Sequence, residues 1–170
     1  MNDYQITPHF RLSEFTQSAT AERLGIDNTP DSTALHNIEL LCRYVLEPIR
    51  QAFGQPIVVN SGYRCRQLNI AVGGAKRSFH LSGRAADIVA GPVQNDKSQI
   101  TNDKSQITND KLQMTNYKLQ ITNDKFRMTN QMEANRRLKA VIDDLGLHTS
   151  ELIYEKPARD GTPRWIHIAI

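Results

Sequence analysis

The chain has 170 residues, of which 39% are hydrophobic and 23% are charged, and this is the size and composition of one folded domain. Its net charge of +3, from 21 basic and 18 acidic residues, is too balanced to indicate a nucleic-acid partner or an anionic membrane. No run of about 18 apolar residues predicts a membrane span. No secretory leader is visible, so we expect synthesis in the cytoplasm, with an export route that the sequence does not give.

The amino-terminal half of the chain predicts helices that lead into a first strand. Residues 13–16 indicate a short helix start, and residues 19–24 a second short helix that Gly25 ends. A long amphipathic helix follows and closes near Pro48, and the apolar run 57–59 predicts a strand. Apolar residues at spacings of three and four give the inward side of the long helix: Leu35, Ile38, Leu41, Cys42, Val45, Leu46 and Ile49.

The second half of the chain predicts the remaining strands and one more helix. Residues 85–90 indicate an apolar strand, and residues 133–145 a helix that Gly146 ends. Residues 152–154 and 165–170 predict the two strands of a hairpin around a loop that contains Pro, Gly and Asp. Helices beside such strands indicate an α+β domain, with a small antiparallel sheet and flanking helices.

Between these halves the chain repeats a unit of seven residues five times, over residues 95–129. Apolar residues stand two apart in most units, whereas a coiled-coil seam needs spacings of three and four. Asn, Asp, Ser and Thr are also poor residues for a helix interior. A solvated insertion, a helix and short strands all remain open. We treat about 92–132 as a low-complexity insertion in a single domain of residues 1–170.

Candidate metal ligands occur in two short stretches on either side of the repeat. A turn at Gly83 can bring His80 back beside Asp87, which lies in an apolar strand where an unpartnered carboxylate is costly. On the last strand His167 lies opposite the isoleucines at 166, 168 and 170, so it faces away from the core. Two histidines and one aspartate suit Zn²⁺ and leave a fourth position for water. A surface histidine and a capping or salt-bridged aspartate are the alternatives.

The stretch Ser78-x-His80-x-x-Gly83-x-Ala85-x-Asp87, with a late Trp-Ile-His167, resembles the zinc D-alanyl-D-alanine peptidase family. That family includes bacterial carboxypeptidases, dipeptidases and phage endolysins, and it shares a lysostaphin- and hedgehog-like fold. The resemblance covers nearly all of the chain outside 92–132. Further similar stretches are Phe10-x-x-x-Glu14-Phe, Gly25-Ile-Asp-Asn28-x-Pro30, Leu46-Glu-Pro-Ile-Arg50, Ser61-Gly-Tyr-Arg64 and Asn69-x-x-Val72-Gly-Gly74.

The resemblance implies that His80, Asp87 and His167 bind zinc, and that Arg64 and Ser78 contact substrate. Arg64 can offer a cationic fork to a developing oxyanion or to a substrate carboxylate, which would make it catalytic as well as substrate-binding. A structural salt bridge is the alternative for Arg64. Ser78 can donate a hydrogen bond to substrate or merely cap its loop.

The general base departs from the family pattern. Many members have Glu or His three residues before the last zinc ligand, where this chain has Arg164. We predict that Glu155 is the base, because a hairpin of the last two strands would place it on the face of His167. Glu151 shares that parity but lies further from the loop and ranks second, with His148 as a weaker candidate.

The leading functional hypothesis is a zinc metallopeptidase that cuts peptidoglycan stem peptides at the cell wall, as a D-Ala-D-Ala carboxypeptidase or as an endopeptidase of the endolysin type. The first alternative is a catalytically inactive zinc-containing domain that binds cell-wall peptide. The second is an interaction protein that acts through the repeat.

Overall fold

A computed structural model describes residues 3–91 and 130–170. The repeat, and with it every prediction for residues 95–129, lies outside these residues. The helices are α1 (Ser13–Thr16), α2 (Ala19–Leu24), α3 (Ser32–Leu41), α4 (Glu47–Phe53), α5 (Arg66–Ala71) and α6 (130–145), with a π-helical turn at Cys42–Leu46 and a 3-10 turn at Phe79–Ser82. The strands are β1 (Gln5–Thr7), β2 (Phe10–Arg11), β3 (Ile57–Ser61), β4 (Ala85–Ala90), β5 (Glu151–Glu155) and β6 (Trp165–Ala169).

The predicted long helix is present but is not a regular α-helix throughout. Asp31 caps its start by accepting a hydrogen bond of 2.7 Å from the backbone N–H of Ala34. A π-helical turn separates α3 from α4, just before Pro48. Proline has no N–H, and its ring crowds the carbonyl group four residues earlier, so a wider turn relieves the clash.

The main sheet has four strands in the order β3-β4-β6-β5, and all neighbouring strands are antiparallel. The predicted hairpin is present as the β5–β6 pair. The prediction of an α+β fold with a small antiparallel sheet is therefore confirmed. The sequence did not predict the central β4–β6 pairing or the short β1–β2 hairpin.

The sheet buries one face against the helices and leaves the other for the site. Even-numbered residues of β4 and β6 join the core cluster, while Asp87 and His167 lie on the opposite face, because side chains alternate along a strand. The core-facing members are Ala86, Ile88, Ala90, Ile166 and Ile168, packed with Ile38, Leu41, Leu46, Ile49, Leu138 and Ile142.

Helix α6 is hydrogen-bonded to the end of β4. The Asn135 side chain accepts from the backbone N–H of Ala90 and donates to the carbonyl groups of Pro163 and Arg164. Gln131 donates to the Ala90 carbonyl at 2.7 Å. The end of β4 and the start of α6, which lie on either side of 92–129 in the chain, are therefore held side by side. Helix α6 begins at residue 130, two residues before the end we assigned to the insertion.

Among the described helices none combines the length and the apolar character that a membrane crossing requires.

Candidate metal centre

Three side chains from three elements converge on one point. His80 lies in the 3-10 turn Phe79–Ser82, and Asp87 and His167 are directly opposed across the β4–β6 pair. One ligand atom from each side chain lies within 4.8 Å of the others. A group of this kind can hold a metal ion.

His80 is almost fully buried, with a side-chain exposure of 2%. Its Nδ1 lies 2.6 Å from the carbonyl oxygen of Gly62, and since a carbonyl group only accepts, Nδ1 carries the proton. Its Nε2 therefore has a free lone pair. That atom has no hydrogen-bond partner in the described chain, and its approach to Asp87 Oδ2, at 3.4 Å, lacks hydrogen-bond geometry. A buried, unpartnered nitrogen oriented in this way is suited to metal coordination.

His167 has a carboxylate at each ring nitrogen. Its Nδ1 lies 2.8 Å from Asp87 Oδ1, and its Nε2 lies 3.0 Å from Glu151 Oε2. The hydrogen bond to Asp87 raises the pKa of His167 against the opposing effect of burial, and Glu151 adds to the rise. Burial would raise the pKa of Asp87, but the contacts with His167 and His80 outweigh it and hold that pKa well below its ordinary value.

These donors fit a zinc ion. Carboxylates accept hydrogen bonds and do not donate them, so without a metal each nitrogen of His167 must carry a proton. A cation held by Nδ1 and Asp87 would take the place of one of those protons and would also give His80 Nε2 the partner that it lacks. Two imidazole nitrogens and one carboxylate oxygen are donors that zinc prefers.

Arg64 approaches the same aspartate from the loop after β3. Its Nη2 lies 3.6 Å from Asp87 Oδ2, and its backbone N–H donates to the His80 carbonyl at 3.0 Å. Burial lowers the pKa of Arg64, and the Asp87 carboxylate opposes that shift. The Nε–H has no partner among the described residues. Asn28 fixes this loop, because its side chain bonds the backbone on both sides of Arg64, at Tyr63 and Cys65.

A cleft leads away from Asp87 and Arg64. Asn60 and Ser18 contribute polar side chains to its lining, and Leu68 contributes an apolar one. The cleft gives an extended polar ligand, such as a short peptide, access to the aspartate.

The other predicted site residues occupy distinct places. Ser78 caps the turn that carries His80: its hydroxyl oxygen accepts from the His80 backbone N–H, at 3.4 Å. The hydroxyl proton of Ser78 is left to donate. Glu155 lies opposite Trp165, on the face of the sheet that carries His167, as the hairpin argument required.

Glu151, which the sequence analysis ranked second, is the carboxylate in contact with His167, and the strand register does not by itself favour it over Glu155. Ile153 is the residue directly opposite His167. Glu151 and Glu155 therefore lie two residues to either side of Ile153, at equal distance along the strand. Alternation along a strand assigns both to one face but does not say which of them turns toward the histidine.

Sequence reasoning also gave no role to Gly62 beyond its place in a motif. A Cβ at this position would lie 2.6 Å from the Phe15 backbone, so only glycine allows the chain to pass there. Its carbonyl group orients His80. The Ser-Gly-Tyr-Arg stretch was the signal available in the sequence.

Comparison with known proteins gives two similarities. A family model described as Peptidase M15 matches residues 8–121 of the chain. The zinc D-Ala-D-Ala carboxypeptidase of Streptomyces albus G is 45% identical over 53 residues, which is 31% of this chain and 21% of that protein. The matched stretch therefore spans about a fifth of the length of that relative.

Proposed function

Because the chain belongs to the peptidase M15 family, we propose that it is a zinc peptidase that hydrolyses a peptide bond in the stem peptides of bacterial peptidoglycan. The observation that carries the proposal is the convergence of His80, Asp87 and His167 beside a cleft that Arg64 also lines. The name of the Streptomyces relative supports both the metal and the substrate class. The site of action on this proposal is the cell wall.

His80, Asp87 and His167 hold the metal, with the proton of His80 Nδ1 bonded to Gly62 and its Nε2 facing the centre. Zinc, when bound, polarises the scissile carbonyl group and makes a water molecule acidic enough to attack near neutral pH.

The remaining chemistry belongs to residues of this chain. Glu155 takes the proton of the attacking water and passes it to the leaving amine. Arg64 places its guanidinium group against the developing oxyanion or the carboxylate of the substrate. Ser78 donates its hydroxyl proton to the peptide while its oxygen caps the turn of His80. Asn60, which is exposed, contacts the stem peptide along the cleft.

A second candidate function is a zinc-containing domain that binds cell-wall peptide without cutting it. The observation in its favour is Arg164, which occupies the position where the family pattern has a base and which cannot accept a proton at neutral pH.

Digestion of defined muropeptides by the full-length protein, followed by mass spectrometry, separates the two candidates. We expect cleavage that a chelator abolishes and that added zinc restores. Loss of a terminal D-alanine would indicate a carboxypeptidase, and cutting within a cross-linked peptide would indicate an endopeptidase. Zinc-dependent binding without cleavage would favour the second candidate. Protein that neither binds nor cleaves the peptides would contradict both.

A further inference from the structure

One contact of the site has no part in the proposed chemistry. The Nε2 of His167 lies 3.0 Å from Glu151 Oε2, and the histidine side chain is only 12% exposed. Glu151 is itself partly shielded from solvent, with a side-chain exposure of 39%. A hydrogen bond at this distance and burial orients the ring more firmly than a surface contact would.

The strand register makes the contact possible. Glu151 is paired with Ala169, two residues along β5 from the Ile153–His167 pair. Ala169 has no side-chain atom beyond Cβ, so the Glu151 side chain can lean across it toward the imidazole. Glu155, two residues from Ile153 in the other direction, lies opposite Trp165, whose side chain is much larger than that of Ala169. Glu151 and Glu155 are therefore equally far from Ile153 along the strand, but they face residues of very different size.

The geometry of the imidazole ring gives Asp87 and Glu151, the carboxylates at its two nitrogens, different positions relative to the metal-binding point. The lone pair or proton on Nε2 points away from the one on Nδ1, and Nδ1 is the nitrogen that faces Asp87. A carboxylate that accepts from Nε2–H therefore lies on the far side of the ring from the metal-binding point. Such a contact leaves the lone pair of Nδ1 free for the metal and makes that nitrogen more basic.

We propose that Glu151 is a positioning residue, whose carboxylate accepts the Nε2 proton of His167 and so holds Nδ1 toward the metal, and that it is not the general base. This inference rests on the proposed function, because it assumes that zinc occupies the centre. The two glutamates of β5 then have different roles. Glu151 acts through His167, and Glu155 acts on the attacking water.

The test compares zinc affinity in the wild-type chain, Glu151→Gln, Glu151→Ala and the control Glu133→Ala, by competition with a chromogenic chelator. Loss of a group that orients a metal-bound histidine typically weakens metal binding about 10- to 100-fold, and we expect this for Glu151→Ala. Glutamine can accept the same proton, so Glu151→Gln should recover most of the affinity. Glu133→Ala removes the same charge from the exposed side of α6 and should stay near wild type.

A spectroscopic measurement gives a signature that general destabilisation would not produce. In the zinc-loaded wild type and in Glu151→Gln, we expect NMR to show a protected proton on His167 Nε2. In Glu151→Ala that proton should be lost to exchange with solvent. Circular dichroism confirms that each variant is folded.

Three results would overturn the inference: wild-type zinc affinity in Glu151→Ala, equal loss of affinity in the Gln and Ala variants, or a 100-fold loss of turnover in zinc-saturated Glu151→Gln. The last would make Glu151 the base, since a general base contributes about 10²–10⁴-fold. Wild-type protein that binds zinc yet cleaves no muropeptide would contradict the proposed function, and the affinity ratios would still decide the role of Glu151.

Discussion

The two histidines of the metal centre present different ring nitrogens to Asp87. His80 presents Nε2, because the Gly62 carbonyl holds its Nδ1, and His167 presents Nδ1, because Glu151 lies at its Nε2. The sequence indicates which residue types can bind zinc. It does not indicate which nitrogen each would use. That choice depends on a backbone carbonyl group 18 residues from His80 and on a side chain 16 residues from His167.

Replacing any one of His80, Asp87 and His167 with alanine should sharply lower the zinc content of the purified protein, because three ligands leave no substitute for the missing one. Elemental analysis after dialysis measures this. His36→Ala is the control, since His36 is exposed on α3 and should leave the zinc content unchanged. Full zinc content in His167→Ala would refute the ligand assignment.

Glu155→Gln should keep the fold and the bound zinc and lose about 10²–10⁴-fold in the hydrolysis of a stem peptide, because the amide cannot take a proton from water. Turnover on a defined muropeptide, measured at saturating zinc, checks this. Glu133→Gln, on the exposed side of α6, serves as the control. Undiminished turnover in Glu155→Gln would turn attention to Glu151 and His148.

At the scale of elements, the loop after β3 does two things at once. Its Gly62 carbonyl binds His80, and the next backbone N–H, from Tyr63, donates to the Phe15 carbonyl at 2.7 Å. The chain passes against the backbone of Phe15 in α1. A shift of α1 would therefore move Gly62 and, through its carbonyl group, the imidazole ring of His80.

Gly62→Ala should therefore weaken zinc binding and lower the free energy of unfolding together. The added methyl group meets backbone atoms of Phe15, which cannot move aside as a flexible side chain would, and overpacking of this kind costs about 1–3 kcal/mol. Urea denaturation and a zinc titration measure the two effects. Gly54→Ala is an informative control: it has open space around it and carries only the strain of its positive φ, far from the ligands. Unchanged zinc affinity in Gly62→Ala would refute the coupling.

Most elements predicted from the sequence have patterns that are long or strongly apolar, and the short helix α2 was predicted from the stop signal Gly25. The long helix, α6 and the strands β4 and β6 have repeated apolar positions, and all four are present. The β1–β2 hairpin escaped prediction because two and three residues are too few to show alternation. The β4–β6 pairing escaped because strands far apart in the chain have no turn between them to fix their register. That pairing is what brings Asp87 and His167 together.

For the whole molecule, we predict that the repeat is dispensable for folding. The described core, the sheet and the three candidate ligands all lie outside residues 92–129, and the entropy of closing a loop grows only slowly with its length.

Replacing residues 95–129 with a short Gly/Ser linker should leave a folded chain that binds zinc and cleaves the same muropeptides. Thermal unfolding, zinc content and turnover, compared with the full chain, test this. The control carries a linker of the original length and separates the effect of length from that of composition. An insoluble or metal-free product would show that the repeat packs on the domain.

The hydrogen bonds of Gln131 and Asn135 to Ala90 also bear on how this gene can change. Slippage during replication adds or removes whole copies of a tandem unit, and each such event keeps the reading frame. Here it would change the number of residues between Ala90 and Gln131, which are already hydrogen-bonded to each other. We therefore expect natural variants with four or six copies to be inherited without loss of the enzyme, so that copy number drifts while the residues around His80 and His167 stay under selection.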